Sequence, residues 1–364
     1  MSAQAAAERG RRRSRAQRRF RALLLLSAVP KALSLLVPRS RRIVLVGARG
    51  DHLDNVLGLL LGRPGPARGV KVRVLASRKS RSDGRLAAAV AALPGARIVR
   101  DWTPAAMWWS LRARWVIVPN LKHEDAHRFW LGGARLVYCN HGPWIKRMAP
   151  PYPTGRRAEF AARLFGRFRL ALASHEGEVA DYQAWFGPGV HVASFGYPRA
   201  PYLDGSKATM SERTIGLWPT WKRFDDGTYD AALARRVHDR VFSRRPGCVE
   251  FRPHQLSGQA PATIGEKRPG RPAVLVTDFS SVAFDQYYLG GRVLLYSKAL
   301  APFLAERGIR PAIEEWLRRH LIQDEATLME ALEDVVEGEA DGAPDPLRLR
   351  PFDSAAFWAW LEAN

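Results

Sequence analysis

The stretch Val274-Leu275-Val276-Thr277-Asp278-Phe279-Ser280-Ser281-Val282-Ala283-Phe284-Asp285 starts as an apolar run and stops at a carboxylate. Ser280 and Ser281 stand where a helix cap belongs, and an apolar pattern at helical spacing follows. A buried strand that turns into a helix is the repeating unit of a parallel α/β sheet. Short apolar runs recur on both sides of it, at Ile215–Leu217, Val249–Phe251 and Val293–Tyr296. An earlier series, Ile43–Val46, Val72–Leu75, Trp115–Val118, Leu136–Tyr138 and Leu170–Ala173, alternates with helical stretches such as Leu86–Leu93 and Ala105–Leu111. Runs this short and continuous are expected of strands buried on both faces.

The polar segment Tyr202–Glu212, with Gly205 inside it, separates the two series and reads as a linker. The expected organisation is an N-terminal arm (1–42), a first Rossmann-like unit (43–205) and a second (206–364), the two units facing each other across a cleft. Ligands of such sheets sit beyond the carboxyl ends of the strands.

Charge is unevenly spread. Residues 1–42 hold 12 Lys/Arg against one acid, which is half of the chain's net +22. The Arg9–Arg21 run precedes Leu23–Leu26, Val29, Leu33 and Leu35–Val37, an apolar stretch broken by Pro30 and Lys31 and too short to span ~30 Å of hydrocarbon. Leucines at the acyl boundary and arginines on anionic headgroups would make it an interfacial anchor. A signal-like segment or a solvated basic tail has the same composition. No nucleic-acid recognition module accompanies it. Two cysteines, Cys139 and Cys248, make no disulfide framework and fit a reducing compartment. P-loop, Gly-x-Gly-x-x-Gly and Gly-x-Ser-x-Gly patterns are missing, as is any metal-ligand spacing, which disfavours an ATPase, a dehydrogenase and a serine hydrolase.

The polar signals cluster at strand ends. After Asp278, two hydroxyls and the free N–H groups of a helical first turn suit a pyrophosphate; a plain cap accounts for Ser280 equally. Arg252 in Phe251-Arg252-Pro253-His254 can fork onto phosphate oxygens, and His254 can donate to a leaving phosphate or be structural. His141 in Asn140-His141-Gly142-Pro143 sits on a turn, with an unperturbed pKa near ~6.5 that suits a general base toward a hydroxyl, or is a loop residue with no role. Thr220 and Lys222, in Leu217-Trp218-Pro219-Thr220-Trp221-Lys222, would reach phosphate, while Trp218 and Trp221 read as core. Phe195-Gly196-Tyr197-Pro198-Arg199 is a further ligand-loop candidate.

In their order along the chain, these segments resemble the CDP-glycerol glycerophosphotransferase family, which includes teichoic-acid primases and polymerases. The resemblance rests on His141-Gly142, Gly196–Arg199, Pro219–Trp221, Arg252–His254 and Thr277–Asp285, with Asp54-Asn55 near the first strand. It implies a GT-B-like fold and a CDP-glycerol or other CDP-alditol donor held by the second half, with no metal or cofactor required. It also implies a lipid-linked or polymeric acceptor at the cytoplasmic face of an envelope membrane. His141 would be the base, and Arg252, His254, Ser280 and Ser281 would hold the pyrophosphate, with Asp278, Thr277, Thr220, Lys222 and Arg199 around the donor. Asp285, Asn55 and Asp54 are further candidates. Pro143 stands where the family has Thr, Ala200-Pro201 where it has Asn-Asp, and Gln255 where it has Pro. These departures leave a nucleotide-sugar glycosyltransferase, or an inactive envelope-assembly binding protein, as the alternatives.

Overall fold

The computed structural model describes residues 32–48, 53–63, 70–119, 133–140, 142–143, 145–147, 168–205, 210–220, 229–253, 259–266, 270–306 and 308–364. Thirteen strands among them form two sheets. The first orders its strands β3-β2-β1-β4-β5-β6-β7, all parallel. Its strands are β1 (Ser40–Ala48), β2 (Lys71–Ala76), β3 (Arg97–Arg100), β4 (Ala113–Val118), β5 (Arg135–Tyr138), β6 (Phe168–Leu172) and β7 (His191–Ala193). The second is ordered β10-β9-β8-β11-β12-β13. It comprises β8 (Met210–Leu217), β9 (Cys248–Phe251), β10 (Ala262–Gly265), β11 (Arg271–Thr277), β12 (Arg292–Tyr296) and β13 (Leu321–Ile322). Only β10 runs antiparallel, as an edge strand on β9.

Alternation along each strand explains the layering. Val44 and Val46 join the core beneath helices Leu53–Leu61 and Gly84–Ala91, while Ile43 and Leu45 face the opposite core with Tyr138, Tyr182 and Phe186. In the second sheet, Val274 and Val276 pack with Leu233, Val237, Leu328 and Leu332. Val293 and Leu295 face Phe284, Phe303, Ile313 and Leu317 on the other side. Both faces are covered, so the central strand positions are mostly apolar. This is the expected architecture of two Rossmann-like units.

Two features depart from the sequence expectation. The Tyr202–Glu212 segment is only partly a connector: helix Ala200–Asp204 and strand β8 claim its ends, because Arg271 and Pro272 pair with Met210 and Ser211. The chain also crosses back after about residue 350. Helix Ser354–Ala363 packs on the first sheet through Phe357, Trp358 and Leu361, and the Trp115 indole N–H donates to Leu361 O at 2.8 Å. The arm expected at 1–42 is described only from residue 32. A short helix, 32–36, there exposes Leu33, Leu35 and Leu36. Among the described residues, no helix is long and apolar enough to cross a membrane.

Candidate functional site

Motifs far apart in sequence meet where the two sheets face each other. Asn55, in the first turn of helix Leu53–Leu61, donates to the backbone oxygens of Cys139 and Asn140 at 2.9 and 2.7 Å. Its Oδ1 accepts from Arg199 Nε at 3.1 Å. Arg199 Nη1 then meets Asp285 Oδ2 at 2.5 Å, and the Tyr197 hydroxyl donates to the other Asp285 oxygen. Burial opposes the charge of Arg199, but Asp285, Tyr197 and Asp54 more than offset this, so its pKa is raised and the guanidinium stays ionised. Burial, assisted by Asp285, pushes the Tyr197 hydroxyl well up, so it remains a donor. Three candidates, Asn55, Arg199 and Asp285, thus form one buried bridge between the halves, with Arg199 committed to Asp285. Asp54 flanks it, 3.9 Å from Arg199 and 3.3 Å from Arg85.

The loop after β5 stands over this bridge. Asn140 has φ of 46°, a left-handed conformation that Asn tolerates better than bulkier residues. Its side-chain amide is fixed by bonds to Gly142 O (2.6 Å) and Tyr182 Oη (2.5 Å). Gly142 also has positive φ, 139°, and a β-carbon there would lie 3.2 Å from Ser281 Oγ and 3.7 Å from an Arg199 nitrogen. The first-half loop and the serine pair of the second half are therefore face to face, with glycine providing the closeness.

Ser281 occupies the cap position of helix Val282–Tyr288, but its hydroxyl makes no capping bond. Ser280 Oγ accepts weakly from Val282 N–H at 3.4 Å. The N–H groups of the first turn, expected to be free for an anion, are partly spent: those of Ala283 and Phe284 bond the carbonyls of Ser280 and Ser281. The Ser280 and Ser281 hydroxyls are therefore the groups at this turn that could meet an anion.

Thr277 is fully buried and donates to Trp218 O at 2.6 Å, so it holds the 218–220 loop instead of meeting the cleft. Asp278 Oδ1 accepts the Thr220 N–H at 2.8 Å. Burial pushes the Asp278 carboxyl up to about 7, against the pull of that N–H and of Lys146. Arg252 lies half-exposed over the Trp218 ring, 4.7 Å from its centroid, and pairs with buried Glu250 at 2.6 Å. His141, His254 and Lys222 lie outside the described residues. No group of three or more His, Cys, Asp or Glu able to hold a metal occurs among the described residues.

Sequence reasoning missed Asn140, whose signal was an Asn beside the His-Gly turn, and Tyr197, quoted within its motif but given no role. It also missed a second bridge. The backbone of Ile145–Arg147 pairs with Gly308–Arg310. Arg310, 2% exposed, reaches Asp181 at 2.6 Å, Gly177 O at 2.9 Å and Glu178 at 3.6 Å.

Residues 272–347 match the family model described as CDP-Glycerol:Poly(glycerophosphate) glycerophosphotransferase, a span that includes Thr277–Asp285. Over that segment, about a fifth of the chain, the sequence is similar to the CDP-glycerol glycerophosphotransferase family. Its fold is similar to that of the wall teichoic acid polymerase TagF, at 14% identity and a TM-score of 0.58 over 96% of this chain and 97% of that one. A TagF His-to-Asn variant soaked with CDPG aligns at 13% identity and TM-score 0.55, covering 96% of each chain. The UDP-GlcNAc 2-epimerase from Neisseria meningitidis, bound to UDP-GlcNAc, aligns at 10% identity and TM-score 0.55 over 90% of this chain and all of that one. No curated protein sequence matches the chain. These likenesses fit the GT-B-like arrangement expected from the sequence, and the matched segment supports a phosphotransferase.

Proposed function

We propose that the protein moves glycerol phosphate, or another alditol phosphate, from a CDP-linked donor to a hydroxyl of a lipid-linked or polymeric envelope acceptor. The second half takes the donor and the first takes the acceptor. The acceptor oxygen forms a bond to the donor's β-phosphorus as the bond to the bridging oxygen breaks and CMP leaves. His141 receives the acceptor proton, while Arg252, His254, Ser280 and Ser281 hold the diphosphate. Such chemistry needs positioning and electrostatics more than covalent help. The observation that carries this reading is the approach of the Gly142 backbone to Ser281. It brings the two motif-bearing turns of opposite halves to one point, beside the family-matched segment.

The basic Arg9–Arg21 run and the exposed Leu33, Leu35 and Leu36 support peripheral attachment to an anionic membrane at its cytoplasmic face.

Turnover of CDP-glycerol, CDP-ribitol, UDP-sugars and GDP-sugars by purified protein tests the donor, with nucleotide release as the readout. CMP release from a CDP-alditol is expected, with at least a ~100-fold loss in His141→Ala, the low end for removal of a general base. UDP or GDP release instead would make the protein a sugar transferase. CDP-glycerol binding with no turnover on any acceptor would make it a binding protein.

A further inference from the structure

A cavity of about 290 Å³ opens beside the bridge, lined by Ser174, His175, Glu176, Ser194, Arg348 and Arg350 among others. Ser174 follows β6 and Ser194 follows β7, so both stand at the ligand-binding ends of their strands. Arg348 and Arg350 come from the segment that crosses back between the halves. Ser174 is fully buried, yet its hydroxyl makes no hydrogen bond among the described residues. Such an orphan is costly unless something else meets it. Ser194 Oγ accepts from Gly196 N–H at 3.4 Å, which leaves its proton to donate. Arg348 holds φ of 48°, a strained conformation for a side chain with a β-carbon, while Arg350 O accepts from Tyr197 N–H at 2.9 Å.

Charge decides what fits. Arg350 pairs with Glu176 at 2.9 Å, so the two cancel. His175 accepts from Gly177 N–H at 3.1 Å; burial and Arg310 push its pKa down to about 4, and it is neutral at pH 7. Among the lining residues Arg348 remains, giving one net positive charge and two hydroxyls, while buried Glu178 behind them accepts the Ser174 N–H at 2.8 Å and is paired with Arg310 at 3.6 Å. That complement matches a singly charged oxyanion. The volume is at the small end of ligand cavities, ~300 Å³, enough for one alditol phosphate unit and too small for a nucleotide.

We propose that this cavity binds a phosphodiester of the acceptor chain, set back from its reacting hydroxyl. The β5, β6 and β7 ends are neighbours in the sheet, so the cavity lies about one or two strand spacings, roughly 5–10 Å, from the Asn140–Gly142 turn. A poly(alditol phosphate) whose terminal hydroxyl meets that turn would carry its next phosphodiester toward Ser174 and Arg348. The identity of the ligand rests on the function proposed above; the anion site itself does not.

Calorimetry on the full chain, with glycerophosphoglycerol, inorganic phosphate and CDP-glycerol as separate titrants, tests it. Arg348→Asn keeps a residue that tolerates the left-handed backbone and should weaken glycerophosphoglycerol binding about 10-fold or more. Ser174→Ala should weaken it about 5-fold without lowering the Tm, since the hydroxyl it removes has no bond to lose. Both variants should bind CDP-glycerol as the wild type does. Unchanged glycerophosphoglycerol affinity in both variants, or none in the wild type, overturns the cavity assignment. Inorganic phosphate binding as tightly as the diester overturns the choice of ligand. If CDP-glycerol fails to bind while the diester responds to both substitutions, the donor reading fails and the cavity stands.

Discussion

Asp278 follows β11 directly, with the Thr220 N–H and its own and Phe279's backbone N–H groups turned toward it, yet it is 7% exposed. Burial wins, and the carboxyl moves from 3.8 to about 7. A carboxyl raised in the folded state contributes stability that is complete below about pH 4 and is lost as pH rises through about 7. The shift corresponds to at most about 4 kcal/mol. Asp278→Asn retains an oxygen for Thr220 N–H and removes the titration. Relative to wild type, the variant should therefore gain stability between pH 5 and pH 8, read from urea unfolding at both. An equal difference at the two pH values would mean that Asp278 does not titrate in this window. Thr277 and Asn140 carry a related lesson. Strand-end polar residues were visible in the sequence, but whether each faces a ligand or a carbonyl is decided by the neighbouring loop.

At the scale of elements, β1, β2, β4, β5, β6, β8, β9, β11 and β12 were legible because each contains a short, mostly apolar run. Strands β3 and β7 were not, since Arg97, Arg100 and His191 interrupt edges that need less burial. Strand β10 alternates as an edge strand does, and β13 has only two residues. Helix Ser354–Ala363 was not read from the sequence, and its return to the first sheet rests on contacts such as Trp115 to Leu361, far apart in sequence. Packing of helices on the bridge depends on glycine. A β-carbon on Gly58 would sit 2.0 Å from Pro198 O, a clash with backbone that cannot swing away. Gly58→Ala should cost about 1–3 kcal/mol and push Asn55 away from Arg199. Gly84→Ala, where nothing lies within 4 Å, should instead stabilise by up to ~1 kcal/mol. Thermal unfolding of the pair checks this: equal Tm shifts of the same sign would refute the packing account.

The whole molecule is held closed by charged groups that the sequence shows only as separate motifs. Asp285 lies 86 residues from Arg199, and Arg310 lies 129 from Asp181. No local pattern links such pairs, although the motif residues themselves could be chosen. Both sides of the Arg199–Asp285 pair are under 10% exposed, so its energetics differ from those of exposed Arg318–Glu314 at 51% and 35%. An exposed i,i+4 pair contributes ~0.5 kcal/mol or less, and Glu314→Gln should barely move the unfolding midpoint. Asp285→Ala strands a buried guanidinium and the Tyr197 hydroxyl, and should cost about 3–5 kcal/mol. Removing the cation as well relieves most of that penalty, so Arg199→Met/Asp285→Ala should be more stable than Asp285→Ala alone. Urea unfolding of the two singles and the double completes the cycle. Strictly additive losses would mean that the halves are not joined through this pair. A positive coupling would make the bridge a lock between donor and acceptor units, whose strength sets how far the Gly142 turn can part from Ser281.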